Sequence, residues 1–201
     1  MLIKKIKIGE IGTNCYIVKN SKRCFVIDPA DEVDEIFRKI GRLNLEFILL
    51  THGHFDHVLA VEDIHKKYPN IPVYIGKFDK ELLRNLSEQK YYSTKELKDL
   101  SLSVRIVSDG DRIKFGDNKI KVIETPGHSF GSVCYLLGNH LFSGDTLFYH
   151  TIGRTDFWTS DPSSMQQSLK KLSKLPTKTK IYPGHGRSTT IAEEIQNGHL
   201  I

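Results

Sequence analysis

The sequence predicts an α+β protein whose strands repeatedly end on histidine or aspartate. Three observations carry that expectation. Short apolar or alternating runs, such as Leu2–Ile8 and residues 47–50, read as strands because side chains two apart in extended chain share a face. Other stretches place apolar residues at helical spacing: Val33, Ile36, Phe37 and Ile40, then Met165, Leu169, Leu172 and Leu175. The third is Thr51-His52-Gly53-His54-Phe55-Asp56-His57, which sets histidines and a carboxylate directly after the apolar run 47–50.

In order, the expected strands are Leu2–Ile8, 14–19 and Arg23–Ile27, punctuated by turns at Gly12-Thr13-Asn14 and Asn20-Ser21-Lys22, which makes an antiparallel opening meander. Asp28-Pro29-Ala30 ends the third strand. Asp28 there is read equally as a turn-capping residue and as a carboxylate that orients a ligand histidine. A helix follows over 33–40 and stops at Gly41. After the strand 47–50, Val58, Val61, Ile64 and Tyr68 predict a helix that opens at His57 and closes before Pro69. A short strand is expected at 72–75, and one or two helices with a loop over 77–100. Strands resume at 104–107, Arg112–Phe115 and 120–124, the last leading into Thr125-Pro126-Gly127-His128. Val133–Leu137 and 140–142 form a hairpin around Gly138-Asn139, followed by Ser143-Gly144-Asp145-Thr146. Asp161-Pro162 starts a helix, with Asp as cap and Pro at the first position. A last strand at 180–182 runs into Pro183-Gly184-His185-Gly186, and a short helix closes the chain.

The residue types at these strand ends point to metal chemistry. In extended chain His52, His54 and Asp56 share a side and His57 faces the other, which splits the donors into two groups. Neutral imidazole and carboxylate suit borderline cations such as Zn(II), and an open catalytic site needs about three protein ligands per metal. Seven residues cannot complete two such sites, so more ligands must come from later in the chain, where three further strand ends present His128, Asp145 and His185, each beside glycine.

Composition bounds the rest. With 201 residues the chain is expected to be one domain spanning 1–201, large enough for a proper core. The net charge of +5 favours anionic partners, and a small acidic metabolite meets it as well as a polyanion would. Lys170, Lys171, Lys174, Lys178 and Lys180 read as a solvated helix face, so no nucleic-acid partner is expected. No stretch approaches the ~18 apolar residues of a membrane span, and the alternating start lacks a signal-peptide core; the expectation is a cytoplasmic protein with no membrane partner. Cys15, Cys24 and Cys134 lie in strand-like contexts without Cys-x-x-Cys pairing and are expected as buried thiols.

A His-x-His-x-Asp-His cluster followed by a lone His, an Asp and a last His resembles the metallo-β-lactamase superfamily, with all five of its motifs present in order, counting Asp28. The resemblance implies a four-layer αβ/βα sandwich, two mixed sheets with helices outside. It also implies two divalent metal ions, zinc before iron or manganese. His52, His54 and His128 would hold one, Asp56, His57 and His185 the other, and Asp145 would bridge them; a turn after His54 must then redirect Asp56. Asp56 and Asp145 are read as catalytic as well as ligating, Asp56 as a proton acceptor.

Gly144-Asp145-Thr146-Leu147-Phe148 with Ile152-Gly153-Arg154-Thr155-Asp156 is similar to the glyoxalase II (hydroxyacylglutathione hydrolase) branch. That implies a thioesterase acting on S-acylglutathione or another small anionic thioester, as monomer or homodimer. Arg154 stands where that branch has a basic residue contacting the glycine carboxylate of glutathione. The chain departs from full-length members by stopping about fifteen residues after His185, without their helical C-terminal glutathione-binding domain. Alternatives are a mononuclear iron persulfide dioxygenase, a lactonase or other hydrolase of the same fold, and, outside enzymology, a metal-stabilised binding module.

Overall fold

The computed structural model describes residues 1–200. The chain divides into two compact units, Met1–Ile75 with Lys80–Ile106 and Gly76–Asp79 with Val107–Ile201.

The first unit is a six-stranded sheet with helices. Its strands are β1 (Leu2–Ile8), β2 (Thr13–Lys19) and β3 (Arg23–Ile27), then, after helix α1 (Val33–Ile40), β4 (Asn44–Leu49), and, after helix α2 (Val61–Lys67), β5 (Val73–Gly76). Helix α3 (Lys80–Arg84) precedes the edge strand β6 (Arg105–Val107), and the strands lie in sequence order. β1, β2 and β3 form the expected antiparallel meander; β3, β4 and β5 run parallel, as crossovers through helices require. Ile36 and Ile40 of α1 and Val61 and Ile64 of α2 pack with Ile17, Val26, Ile48 and Val73 in one core. Each such fully buried aliphatic side chain contributes about 1.5–3 kcal/mol. Gly41 ends α1 with a positive φ (61°, ψ −124°) that a side chain would oppose.

The helix expected to open at His57 starts later. Phe55–His57 is a single 3-10 turn, closed by His57 N–H donating to the His54 carbonyl (3.0 Å) and Val58 N–H to that of Phe55 (3.1 Å). Val58 then leaves helical geometry (φ −132°, ψ −6°), and Ala60 N–H bonds to the Pro29 carbonyl (3.0 Å) before α2 begins. Periodicity registers the apolar face through this break but not the break itself.

The second unit is also a mixed six-stranded sheet. Its elements are β7 (Arg112–Phe115), β8 (Asn118–Glu124), β9 (Val133–Leu137), β10 (His140–Gly144), a small hairpin of β11 (Leu147–Phe148) and β12 (Thr151–Ile152), α4 (Pro162–Leu172), β13 (Lys180–Pro183), β14 (Thr189–Thr190) and α5 (Ile191–Gln196). The sheet order is β14-β13-β10-β9-β8-β7. Met165, Leu169 and Leu172 of α4 and Ile191 of α5 pack on Ile123, Cys134, Leu141 and Ile181. The Asp161 carboxylate caps α4 by accepting from Ser163 N–H and Ser164 N–H, with Pro162 at the first position. Topology places the chemistry. β8 and β10 are each antiparallel to β9, and β13 is parallel to β10, so β8, β10 and β13 run the same way and end at one edge of the sheet.

Among the described residues no helix is long and apolar enough to cross a membrane. Cys15, Cys24 and Cys134 are buried free thiols. Burial pushes Cys24 and Cys134 up to about 11, so both stay protonated at neutral pH.

Candidate metal centre

In the first unit β4 delivers residues 51–57, and parallel pairing brings the end of β3 beside it. Asp28 occupies that end in a left-handed conformation (φ 48°). Its Oδ1 accepts Thr51 N–H (2.8 Å), and its Oδ2 accepts the Thr51 hydroxyl (2.7 Å) and lies 3.0 Å from His57 Nδ1. Because the Thr51 hydroxyl proton goes to Asp28, its oxygen is left to accept from His52 Nδ1 at 3.1 Å. Both rings therefore carry their proton on Nδ1, which leaves the Nε2 lone pair for a metal. Asp28 caps the turn and orients the histidines at once.

The expected turn after His54 is present. His54 is extended (φ −73°, ψ 147°), and the 3-10 turn that follows redirects Asp56. Asp56 Oδ2 accepts the Thr13 hydroxyl at 2.6 Å and stands 3.3 Å from His57 Nε2. The His52 ring is 4.6 Å from that of His54 and 4.1 Å from that of His57, centre to centre. All four ligand candidates of this unit thus converge.

In the second unit the common direction of β8, β10 and β13 gathers His128, Asp145 and His185. Asp145 Oδ2 lies 3.6 Å from His128 Nε2 and 3.4 Å from His185 Nε2. His128 Nδ1 is 2.9 Å from the Arg154 carbonyl, which fixes its proton there. Gly153 makes that approach possible: a Cβ at this position would come within 1.7 Å of the Asp145 carbonyl oxygen.

These donors fit metal ions. Two donors each 2.0–2.2 Å from one ion at a tetrahedral angle are about 3.4 Å apart. The nitrogen-to-oxygen separations here are 3.3, 3.4 and 3.6 Å, too long for good hydrogen bonds and right for a shared ion.

Arg154 reaches His128 through its backbone. Its guanidinium makes a two-pronged pair with Asp156 (2.9 and 2.8 Å) and lies 4.5 Å over the Phe157 ring, which meets His128 edge-on. The pair is exposed, and the Arg154 guanidinium holds the Asp156 carboxyl below the usual carboxylate range.

Thr13 and Gln89 were not legible in the sequence. Gln89 is buried in the 3-10 segment Leu86–Tyr92, accepts Phe55 N–H (2.9 Å) and donates to the Gly53 carbonyl (3.2 Å). Both bonds span more than thirty residues, and no local spacing announces them.

The family model of the metallo-beta-lactamase superfamily matches residues 8–185, and the chain belongs to that superfamily. Among its relatives is a probable metallo-hydrolase, YqgX of Bacillus subtilis, 32% identical over 98% of this chain and 96% of that protein. A hydroxyacylglutathione hydrolase of Photobacterium profundum is 32% identical over 92% of this chain and 68% of its own length. The solved structure of TTHA1623 in a di-iron-bound form superposes with a TM-score of 0.87 at 34% identity, covering 96% of this chain and 98% of the other. BLEG-1, a B3 metallo-beta-lactamase, gives 0.89 at 32%, covering 97% of each. The protein is a metal-dependent hydrolase by family, with two mixed sheets and flanking helices as that fold requires.

Proposed function

We propose that this protein is a binuclear metal-dependent thioesterase of the glyoxalase II type. His52, His54 and His128 are the candidate ligands of one ion and Asp56, His57 and His185 those of the other; the superfamily pattern makes Asp145 the ligand they would share. The observation that carries the reading is Asp145 Oδ2, set between two Nε2 atoms at distances suited to shared metal ligands. Zinc fits the nitrogen and oxygen donors; the di-iron form of TTHA1623 keeps iron as an alternative. When bound, two such ions would supply a water whose pKa falls from ~16 to about 7 and a Lewis acid for a carbonyl. The chain's residues supply the rest. Asp28 and the Arg154 carbonyl lock the histidine tautomers. Asp56, steadied by Thr13, is the carboxylate placed to take up a proton. A thiolate leaving group with a parent pKa of ~8.5 departs without an acid catalyst, which suits a ligand set made of metal donors.

Arg154 recognises a substrate carboxylate by exchanging it for Asp156. That exposed pair is weakly held, because water screens it, and the guanidinium fork matches any carboxylate. Substrates are small anionic thioesters, S-acylglutathiones first. The buried reduced cysteines are in keeping with a cytoplasmic setting. The test is thiol release from S-lactoylglutathione and from an uncharged thioester. Arg154→Ala is expected to raise KM for the first about tenfold or more, with kcat and the second substrate little changed. Equal KM values for wild type and variant would remove Arg154 from the substrate site.

A further inference from the structure

We propose that Gln89 and Asp79 are positioning residues that hold the loops carrying His54 and His128, and so set metal affinity at the ligand set His52, His54 and His128. The inference rests on the binuclear reading above. Strand pairing on β4 reaches Leu50, whose N–H donates to the Tyr74 carbonyl (2.9 Å). Beyond it, the two backbone groups that Gln89 bonds belong to Gly53 and Phe55, the residues on either side of His54. One group there must be given a donor and the other an acceptor, and a carboxamide offers both. At 5% exposure Gln89 bears a desolvation cost that these bonds offset.

Asp79 does the same for the second loop. It is 1% exposed; its Oδ1 accepts Gly131 N–H (2.7 Å) and its Oδ2 accepts the hydroxyl of Ser129, the residue after His128 (2.6 Å). Ser129 is held in turn by Ser132, hydroxyl to hydroxyl at 2.6 Å. The loop sits hard against Asp79, since a Cβ on Gly131 would lie 2.4 Å from the Asp79 nitrogen. Two buried polar side chains, ten residues apart, each bond a neighbour of a histidine from the same ligand set. A purely structural pair of clamps gives no reason for that coincidence.

The experiment compares wild type, Gln89→Met, Gln89→Glu and Asp79→Asn for zinc retained after dialysis, zinc transfer to a chromophoric chelator, and Tm of the apo protein. Ile36→Val, a small core deletion on α1, is the control for lost stability alone. Wild type is expected to hold two zinc ions. Gln89→Met and Asp79→Asn are expected to hold one as tightly and the other about 10–100-fold more weakly, as loss of a group that orients a ligand does. Gln89→Glu keeps the acceptor for Phe55 N–H, falls between, and is read in its place if Gln89→Met does not fold. Ile36→Val lowers the apo Tm and leaves zinc binding alone. Variants that lose apo stability yet hold both ions as wild type does would reduce Gln89 and Asp79 to structural clamps and overturn the proposal. A wild-type protein holding fewer than two ions would overturn the binuclear reading and the proposal with it.

Discussion

Asp28 shows how one side chain sets the chemistry of its neighbours. A single buried carboxylate accepts from Thr51 N–H, from the Thr51 hydroxyl and from His57 Nδ1, and through Thr51 it also fixes His52. Asp28→Asn keeps the shape but replaces an acceptor oxygen with a donor, so a buried N–H or O–H group loses its partner. The expected result is metal affinity lower by about 10–100-fold and stability lower by about 1–3 kcal/mol, read by chelator competition and by urea unfolding of the apo form. Unchanged metal affinity would make Asp28 a turn residue only. Its dual part was half visible in the sequence: a strand-end aspartate before proline signals a turn, and a metal cluster nearby asks for a carboxylate behind its histidines. Thr13 was invisible because its bond to Asp56 crosses 43 residues.

At the scale of elements, strand ends were the readable feature. Short apolar runs and Asp-Pro or Pro-Gly punctuation locate β3, β4, β8, β10 and β13; Asp28 follows the first, and the ligand candidates follow the other four. The stretch 77–102 was not readable in detail: it holds a five-residue helix, α3, and 3-10 turns, pieces too short to show an amphipathic period. The same weakness hid the β11–β12 hairpin, two residues per strand. His140 at the start of β10 carries a prediction at this scale. Its ring, 3.1 Å from the Tyr182 hydroxyl, is held below the ordinary histidine pKa first by burial and then by the Lys180 charge. The unfolded chain therefore binds the proton more readily. His140 contributes stability that is complete above the ordinary value near ~6.5 and is lost as pH falls through the lower folded value. Urea midpoints of wild type and His140→Gln are expected to differ by a margin that moves against wild type between pH 7.5 and 5.5. A margin independent of pH would contradict this.

Across the whole molecule the ligand candidates divide between the two units. The first contributes the dense cluster His52, His54, Asp56 and His57, legible from spacing alone. The second contributes His128, Asp145 and His185, which are lone residues in the sequence and become a set through strand direction. That difference explains why the class of chemistry was readable from seven residues while the full ligand set required the family pattern. Substrate choice is less legible still, because it turns on exposed groups such as Arg154, whose partner Asp156 lies two residues away in a loop. The most direct measurement is the metal content of the purified protein and of Asp145→Asn, alongside thiol release from S-lactoylglutathione. About two divalent ions per chain with steady thiol release, and loss of metal and turnover in the variant, is the expected result. One iron per chain with oxygen uptake on glutathione persulfide, or an Asp145→Asn protein that turns over as wild type does, would contradict it.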